Sequence, residues 1–467
     1  MIKHKIVSLF SGAGGLDLGF ALHGSFSLLF ANDVLLPAAE TYSRAFGLRL
    51  ERSDGPGPAP AKPFTVLAGD VGGVDFSELA GCGADVLLGG PPCQDFSIVR
   101  GPDWDRRGIS VKRGRLYLHF VRALEALQPA VFVFENVPGL VSANRGLAYR
   151  AILSDFSQLG RGWSWAGEGN EGGSGRADGY EVVFSEVVDF SKLGVPQRRE
   201  RLLVIGVRRD LARAASAELP ELKQAVRAVL RGEPWLFGRY PLTPIEVFEG
   251  RRLDQLGEEY RNAMKKWEGV WEEVCTERAR RWRREVWGRL SFDIVEDYLR
   301  ICGGGDGGAG LSSALKQHED LLRELGYWGK PVSGLSLPDS TADPPRENRA
   351  VAERMRRIPP GENHEFVRGT QWEVEGKGMS LVYRRIHPLK PSYTVVAYGG
   401  GGTHGYHYDR DRAALTLREK ARLQTFPDAF LFSGSRAQIR AQIGEAVPPL
   451  AGLRIAEAVA LLLKRLS

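Results

Sequence analysis

Cysteine is scarce and scattered. Its four copies, at positions 82, 93, 275 and 302 of 467, form no Cys-x-x-Cys pair, so a finger-type zinc site and a disulfide framework are both disfavoured and a reducing compartment is expected. No apolar run reaches the roughly 20 residues that span a bilayer, and the start carries no signal-peptide pattern. No membrane association and a cytoplasmic location are therefore the expectations. Internal repeats are absent. Neither sign of charge dominates: 63 basic residues against 57 acidic leave a net charge of +6, which fits a polyanionic partner without requiring one. The length leaves room for one large domain and a smaller second one.

Against this plain background one stretch stands out. The apolar run Ala84-Asp85-Val86-Leu87-Leu88 reads as a short buried strand, and Gly89-Gly90-Pro91-Pro92-Cys93-Gln94-Asp95-Phe96-Ser97 follows it directly. Two prolines cannot continue a central strand. Cys93 is thus held in a rigid loop at a strand's carboxyl end, where open α/β sheets keep their active sites. A structural cysteine is usually a small core residue inside an apolar run, and this one has the opposite setting.

Near the amino terminus, Lys5-Ile6-Val7-Ser8-Leu9-Phe10 reads as a first strand. The segment from Ser11 to Gly19 reads as a glycine-rich turn opening a helix, where the backbone can approach a ligand closely. A second strand, Ser27 to Ala31, ends at Asn32-Asp33, and an acid some twenty residues after such a turn can accept hydrogen bonds from ribose hydroxyls. An adenosine-containing cofactor fits, whether NAD, FAD or S-adenosylmethionine (SAM). Pro129 to Phe134 is a third apolar strand that delivers Glu135-Asn136-Val137-Pro138-Gly139 at its end; a carboxyl there can serve as a proton donor. Finally, Gly194-Val195-Pro196-Gln197-Arg198-Arg199-Glu200-Arg201 precedes the strand Leu202 to Val207. If extended, it places Gln197, Arg199 and Arg201 on one face, with guanidinium forks suited to anions and base-edge oxygens.

Phe-x-Gly-x-Gly-Gly, Pro-Pro-Cys-Gln, Glu-Asn-Val, Gln-Arg-Arg-x-Arg and the closing Gln442-Ile443-Gly444-Glu445-Ala446-Val447-Pro448 occur in the order of the DNA cytosine-5 methyltransferase family, which this chain resembles. Leu415 to Asp428 is similar to the family's penultimate motif. The resemblance covers about residues 5–207 and 380–460. Glu445 is a departure, because many members have asparagine there.

The resemblance implies an α/β fold: a doubly wound, Rossmann-like, SAM-dependent methyltransferase sheet with an antiparallel hairpin at one edge and a second, smaller target-recognition domain. The expected division is residues 1–238 for the catalytic SAM-binding domain and 239–435 for the target-recognition domain. Residues 436–467 would return to the catalytic domain, and a final helix near Leu450 to Leu466 would pack beside the first strand. Double-stranded DNA would lie in the cleft between the domains. The implied chemistry is attack of the Cys93 thiolate on cytosine C6, with Glu135 at N3 and Arg201, supported by Arg199, on the O2 side. C5 then takes the methyl group of SAM, leaving S-adenosylhomocysteine. The cofactor contacts implied are Phe10, Gly12, Gly14, Gly15, Leu16, Asp33, Asp70, Val71, Pro91, Leu116, Glu445 and Ala446. Since a stacked base is out of reach, the cytosine should be flipped out, with the loop from Ile98 to Gly108 as a lid. No metal is expected: His404 and His407 have no matching acidic or thiol partners nearby in sequence. A monomer acting on the nucleoid of a prokaryote, beside a restriction endonuclease of the same specificity, completes the expectation.

Residues 251–300 hold 12 Lys or Arg, interspersed with Trp267, Trp271, Trp282 and Trp287. DNA contact is the favoured reading of the run Arg278 to Arg284, over a solvated helix whose tryptophans pack inward. Gly303 to Gly308 reads as a break between helices. The stretches Arg354 to Asn363 and Tyr398 to His404 read as loops that bring backbone close to a ligand. Three other functions fit these residues less well. An RNA cytosine-5 methyltransferase would carry a Cys-Phe-Thr tripeptide that is absent here; a non-catalytic DNA-binding relative would have lost Cys93 or Glu135; an NAD-dependent oxidoreductase leaves Pro-Pro-Cys-Gln without a task.

Overall fold

The computed structural model describes residues 3–53, 58–92, 116–159, 178–303, 308–346, 348–374, 382–398, 402–403 and 405–466. Cys93, the expected lid, His404 and all but the last two residues of the stretch 167–179, which its glycine and charge mark as an exposed loop, lie outside them. The chain forms two compact units, one of residues 1–190, 200–234 and 447–467 and one of residues 191–199 and 235–446. These bounds differ from the expected division in three places: the excursion at 191–199, residues 235–238 and residues 436–446 all belong to the second unit.

Among the described residues the first unit is built on eight strands: β1 (His4–Leu9), β2 (Phe26–Asp33), β3 (Arg49–Arg52), β4 (Thr65–Ala68), β5 (Val86–Gly89), β6 (Val131–Asn136), β7 (Tyr180–Asp189) and β8 (Glu200–Arg208). Their spatial order is β3-β4-β2-β1-β5-β6-β8-β7. The pairs from β3 through to β6 are all parallel. The hairpin β7–β8 then adds antiparallel to β6. Strands β4 and β5 are buried along their whole length, and the first four residues of β6 are too, as expected for parallel strands covered on both faces. Separately, Ala59–Pro60 pairs with Val74–Asp75 in a small two-stranded sheet.

Helices α1 (Gly15–His23), α2 (Leu36–Phe46), α3 (Tyr117–Leu127), α4 (Leu147–Ser157) and α5 (Leu219–Leu230) surround this sheet. Phe120 of α3, Phe132 and Phe134 of β6, and Phe156 of α4 form an aromatic cluster with centroids 4.8–5.9 Å apart. The chain runs outward from β1 on one side and returns to β5 on the other. The order therefore reverses between β1 and β5, and the crevice beyond their carboxyl ends is where such sheets bind ligands.

In the second unit, α6 (Pro244–Glu249), α7 (Leu417–Leu423) and α8 (Arg436–Glu445) each start at a capping box, from Thr243 and Glu246, Thr416 and Glu419, and Ser435 and Gln438. Its aromatic core holds Trp267, Trp271, Trp282, Phe366, Tyr383 and Tyr406. Trp267, Trp271 and Trp282 are buried and serve packing, while Arg280 and Arg281 on the same stretch are exposed. His407 is also a packed residue, stacked on Phe248 and accepting the Asp409 N–H at Nδ1.

The final helix, α9 (Pro449–Leu466), belongs to the first unit and packs on α1 and α5 rather than beside β1. The stretch Arg436–Leu466 contains a window of mean hydropathy 1.6, long and apolar enough to cross a membrane by length and composition, contrary to the sequence reading. Of that window 72% is buried inside the protein, which is how a core helix satisfies its apolar face. The approach of α9 to α1 depends on two glycines: a Cβ on Gly19 would lie 2.2 Å from the backbone of Gly452 and Leu453. Gly19→Ala is expected to force the helices apart and lower Tm by roughly 5–10 °C, as for a core overpacked by a few kcal/mol. An unchanged melting curve would contradict that packing.

Candidate active site

All the predicted site residues of the first unit that the structure describes lie at one edge of the sheet. The turn after β1 begins with Phe10 in the left-handed region (φ 55°), followed by Gly12 (φ 54°) and Gly14 (φ 86°). A non-glycine residue held at positive φ is strained and needs its surroundings to hold it there. The holding groups come from the end of β2. Ser11 N donates to the Asn32 carbonyl at 3.0 Å, and Gly12 N donates to Asp33 Oδ2 at 2.8 Å. The Asn32 side chain donates in turn to the carbonyls of Leu67 and Gly69, both at 3.0 Å. Three loops, after β1, β2 and β4, are thereby tied together through Asn32 and Asp33.

Burial raises the pKa of Asp33, against the lowering effect of the N–H groups of Leu35 and Gly12. Val34 beside it is 66% exposed, an apolar surface that a purine ring can cover. Asp70 Oδ1 accepts the Gly72 N–H at 2.8 Å, and Val71 is buried. Arg122 of α3 donates to the carbonyls of Val71, Gly72 and Val74 at 2.6–3.1 Å, which fixes this loop. Gly15 and Leu16 are buried in the first turn of α1, and Leu116 caps α3, half-buried. A Cβ on Gly12 would meet nothing within 4 Å, so the turn presents bare backbone to open space. With a carboxylate and an apolar face beside it, this arrangement fits an adenosine-bearing group.

Two groups under the turn were not singled out from sequence. Asp17 is buried and accepts the Tyr42 hydroxyl at 3.0 Å. The Tyr42 ring in turn lies where a Cβ on Gly14 would be, 2.8 Å away. Desolvation raises the Asp17 pKa to about 6, opposed by hydrogen bonds from Ser8 and Tyr42. An acid in the first helical turn, between apolar Leu16 and Leu18, was the available signal.

The second cluster begins where β5 ends. Gly89 pairs with Phe134, and Leu203 of β8 pairs with Glu135. The ends of β5 and β6 and the start of β8 therefore coincide. Arg201 Nε lies 3.0 Å from Glu135 Oε1, with both side chains largely buried. A Cβ on Gly90 would lie 2.9 Å from Glu135 Oε2. Asn136 donates from Nδ2 to the Pro91 carbonyl at 3.3 Å and accepts the Val137 N–H at 2.9 Å, so it clips down the loop two residues before Cys93. Glu135, Arg201, Gly90 and Pro91 are thus gathered at one point. The alternation read from Gln197 to Arg201 is also present: Gln197 and Arg199 are buried, Arg198 and Glu200 exposed.

The chain matches the profile of C-5 cytosine-specific DNA methylases over residues 4–460. It belongs to that family. It is similar to the DNA (cytosine-5-)-methyltransferase M.ApeKI of Aeropyrum pernix, with 65% identity over 98% of this chain and 99% of that one. The Type II methyltransferase M.BbvI of Brevibacillus brevis is 30% identical over 98% of this chain and 91% of its own. The chain also resembles the crystal structure of a prophage-encoded protein from E. coli assigned as a DNA modification methyltransferase, with TM-score 0.53 and 20% identity over 99% and 100% of the two chains; at that identity the likeness concerns the fold. This methyltransferase therefore acts on cytosine in DNA, with SAM as methyl donor.

Not every predicted residue of this methyltransferase lies in that cluster. Arg199 is 1% exposed, and it donates to the carbonyls of Gly444 and Glu445 at 3.0 and 3.2 Å within the second unit. Gln197 beside it donates to Gln424 Oε1 at 2.9 Å and accepts the Val395 N–H at 2.7 Å. Both act as structural ties there. Glu445 and Ala446 lie at the carboxyl end of α8, Glu445 exposed.

Asp17 yields a pH prediction. Its folded pKa of about 6 exceeds the ordinary 3.8, so the folded state keeps this proton where the unfolded chain has lost it. The cost of ionisation is absent below pH 4 and complete above pH 6. Asp17→Asn should therefore gain stability relative to wild type between those limits, by up to roughly 3 kcal/mol in denaturant titrations. A stability difference independent of pH would refute the assignment.

Proposed function

We propose that this methyltransferase adds a methyl group to C5 of a cytosine turned out of its duplex, with Cys93 as nucleophile, in the manner of the modification enzyme of a restriction-modification system. The observation that carries the reading is the Glu135–Arg201 pair, 3.0 Å apart at the mouth of the sheet beside the backbone that leads into Cys93. Cytosine C5 is a poor nucleophile until a group adds to C6. The Cys93 thiolate forms a sulfur–carbon bond at C6, and the electron pair of the 5,6 double bond becomes available at C5. Glu135 lies where a proton or hydrogen bond can be given to N3, so charge does not accumulate on the ring. Arg201 holds the O2 side and, through its Nε, the orientation of Glu135. SAM supplies a methyl group made electrophilic by its sulfonium. After transfer the C5 proton leaves to a base, the Cys93–C6 bond breaks, and the double bond returns.

In this reading Asp33 accepts from the ribose hydroxyls, Asp70 and Val71 meet the adenine, and Phe10, Gly12, Gly14, Gly15, Leu16, Pro91 and Leu116 shape the walls of the cofactor crevice. Arg199 acts from behind, as a positioning residue. No step calls on a metal ion. The names of the type II relatives support a companion endonuclease of the same specificity, and the reading is completed by a monomer working in the cytoplasm.

The test is Glu135→Gln, which keeps shape and removes the titrating carboxyl. It should lower kcat about 100-fold or more, as loss of a general acid does, while Kd for SAM and for duplex DNA stays within a few-fold. Equal kcat for the two enzymes would remove Glu135 from the chemistry.

A further inference from the structure

We infer that the helix spanning Glu277–Glu285, with the turn that follows to Arg289, is a phosphate-contact surface of the second unit for duplex DNA. The inference rests on DNA being the substrate and adds where its backbone is held. Between Thr276 and Leu290 the chain has six arginines and two glutamates, a surplus of four positive charges, against +6 for all 467 residues. No other described part of the molecule needs to be invoked to find a polyanion's counter-surface.

The helix is fixed from behind. Thr276 caps it, accepting the Ala279 N–H at 3.1 Å. Ala279 and Trp282 face inward, with the Trp282 ring 6.3 and 6.1 Å from those of Trp271 and Trp287 and edge-on to Phe366 at 6.2 Å. Arg278, on the flank, pairs with Glu362 at 2.7 Å and with Glu365. A helix held by three indoles and a double ion pair loses little freedom when its outer face meets a ligand.

That outer face is only partly neutralised. Arg280, Arg281, Arg283 and Arg284 are all exposed. Arg280 has Glu277 at 3.8 Å, one turn away, and Arg283 leans over the Trp271 ring at 5.2 Å. Among the described residues Arg281, Arg284 and Arg289 have no carboxylate within ion-pair range. The same unit pairs several of its other arginines: Arg252 with Asp254, Arg300 with Asp297, Arg357 with Glu353, Arg418 with Asp339 and Arg422 with Asp428. Favourable interaction with the helix dipole accounts for Arg283 and Arg284 in the last turn, but not for Arg280 and Arg281 in the first half. Arg280 and Arg284 lie about 6 Å apart along the axis, near the axial rise of two nucleotides of one strand, about 7 Å. Guanidinium forks bind phosphate oxygens in pairs. Such contacts set register and affinity and leave sequence choice to other groups.

The experiment compares wild type with the triple variant R280Q/R281Q/R284Q, measuring kcat, KM for duplex DNA at several salt concentrations, Kd for SAM, and Tm. The triple variant should raise KM for DNA about tenfold or more at physiological salt and flatten the log–log salt slope by about 2 to 3, near 0.9 per lost phosphate contact. Its kcat at saturating DNA, SAM affinity, Tm and methylated sequence should stay as in wild type. The corresponding triple lysine variant should keep most of the slope, since a point charge still meets a phosphate. Unchanged KM and slope in the glutamine variant would overturn the inference, as would a loss confined to kcat. A wild type that transfers no methyl group to DNA would instead overturn the functional reading on which it rests.

Discussion

Arg201 reaches Glu135 because β8 runs antiparallel to β6 and starts where β6 ends. In an all-parallel sheet the residue entering β8 would lie at the opposite edge, some 20 Å from the carboxyl ends where Gly90 and Glu135 are, a strand rising about 3.3 Å per residue over six residues. Reversing one strand pair is thus what lets two oppositely charged side chains, distant in sequence, share a largely buried site. Taking either charge out of water alone would be expensive, and each partner, with its hydrogen bonds, offsets the cost of the other. The close approach of Gly90 to Glu135 then follows from the parallel register of β5 and β6, and Asn136 holds the same loop by its Pro91 carbonyl.

The cofactor crevice depends on a comparable economy of polar groups. Asn32 and Asp33 receive or supply the hydrogen bonds that hold three successive loops, and Asp17 and Tyr42 support the glycine turn from below. The strained φ of Phe10 is held inside this frame. The second unit is organised differently. Its irregular stretches are fixed by buried guanidiniums, with Arg385 donating to the carbonyls of Ile358, Asp409 and Arg412, and Arg199 and Gln197 doing the same for the ends of α7 and α8.

Legibility in the sequence followed from how local the determinants are. Strands β1, β2, β5, β6 and β8 could be found within two residues of their bounds because strands buried inside a covered sheet are continuous apolar runs. The sheet class and its antiparallel edge came through the motif order rather than through periodicity. Three features were not readable. The docking of α9 on α1 depends on the pairing of Gly19 with Gly452, more than 400 residues apart in sequence. The inward packing of the tryptophans could not be told from an outward face by spacing alone, and Trp267 lies in the turn between the helices Gly257–Lys265 and Val270–Val274. The membrane-length window near the carboxyl end is apolar because α9 is a core helix, and only burial distinguishes that from a spanning segment.

Bisulfite sequencing of DNA from a host free of 5-methylcytosine, expressing wild type or Cys93→Ala, tests most directly whether this chain methylates cytosine in DNA through its Pro-Pro-Cys loop. Protected cytosines in one short recurring sequence with the wild type, and none with the variant, are the result expected. A genome left unmodified by a soluble, SAM-binding wild type, or modified equally by the variant, would contradict it.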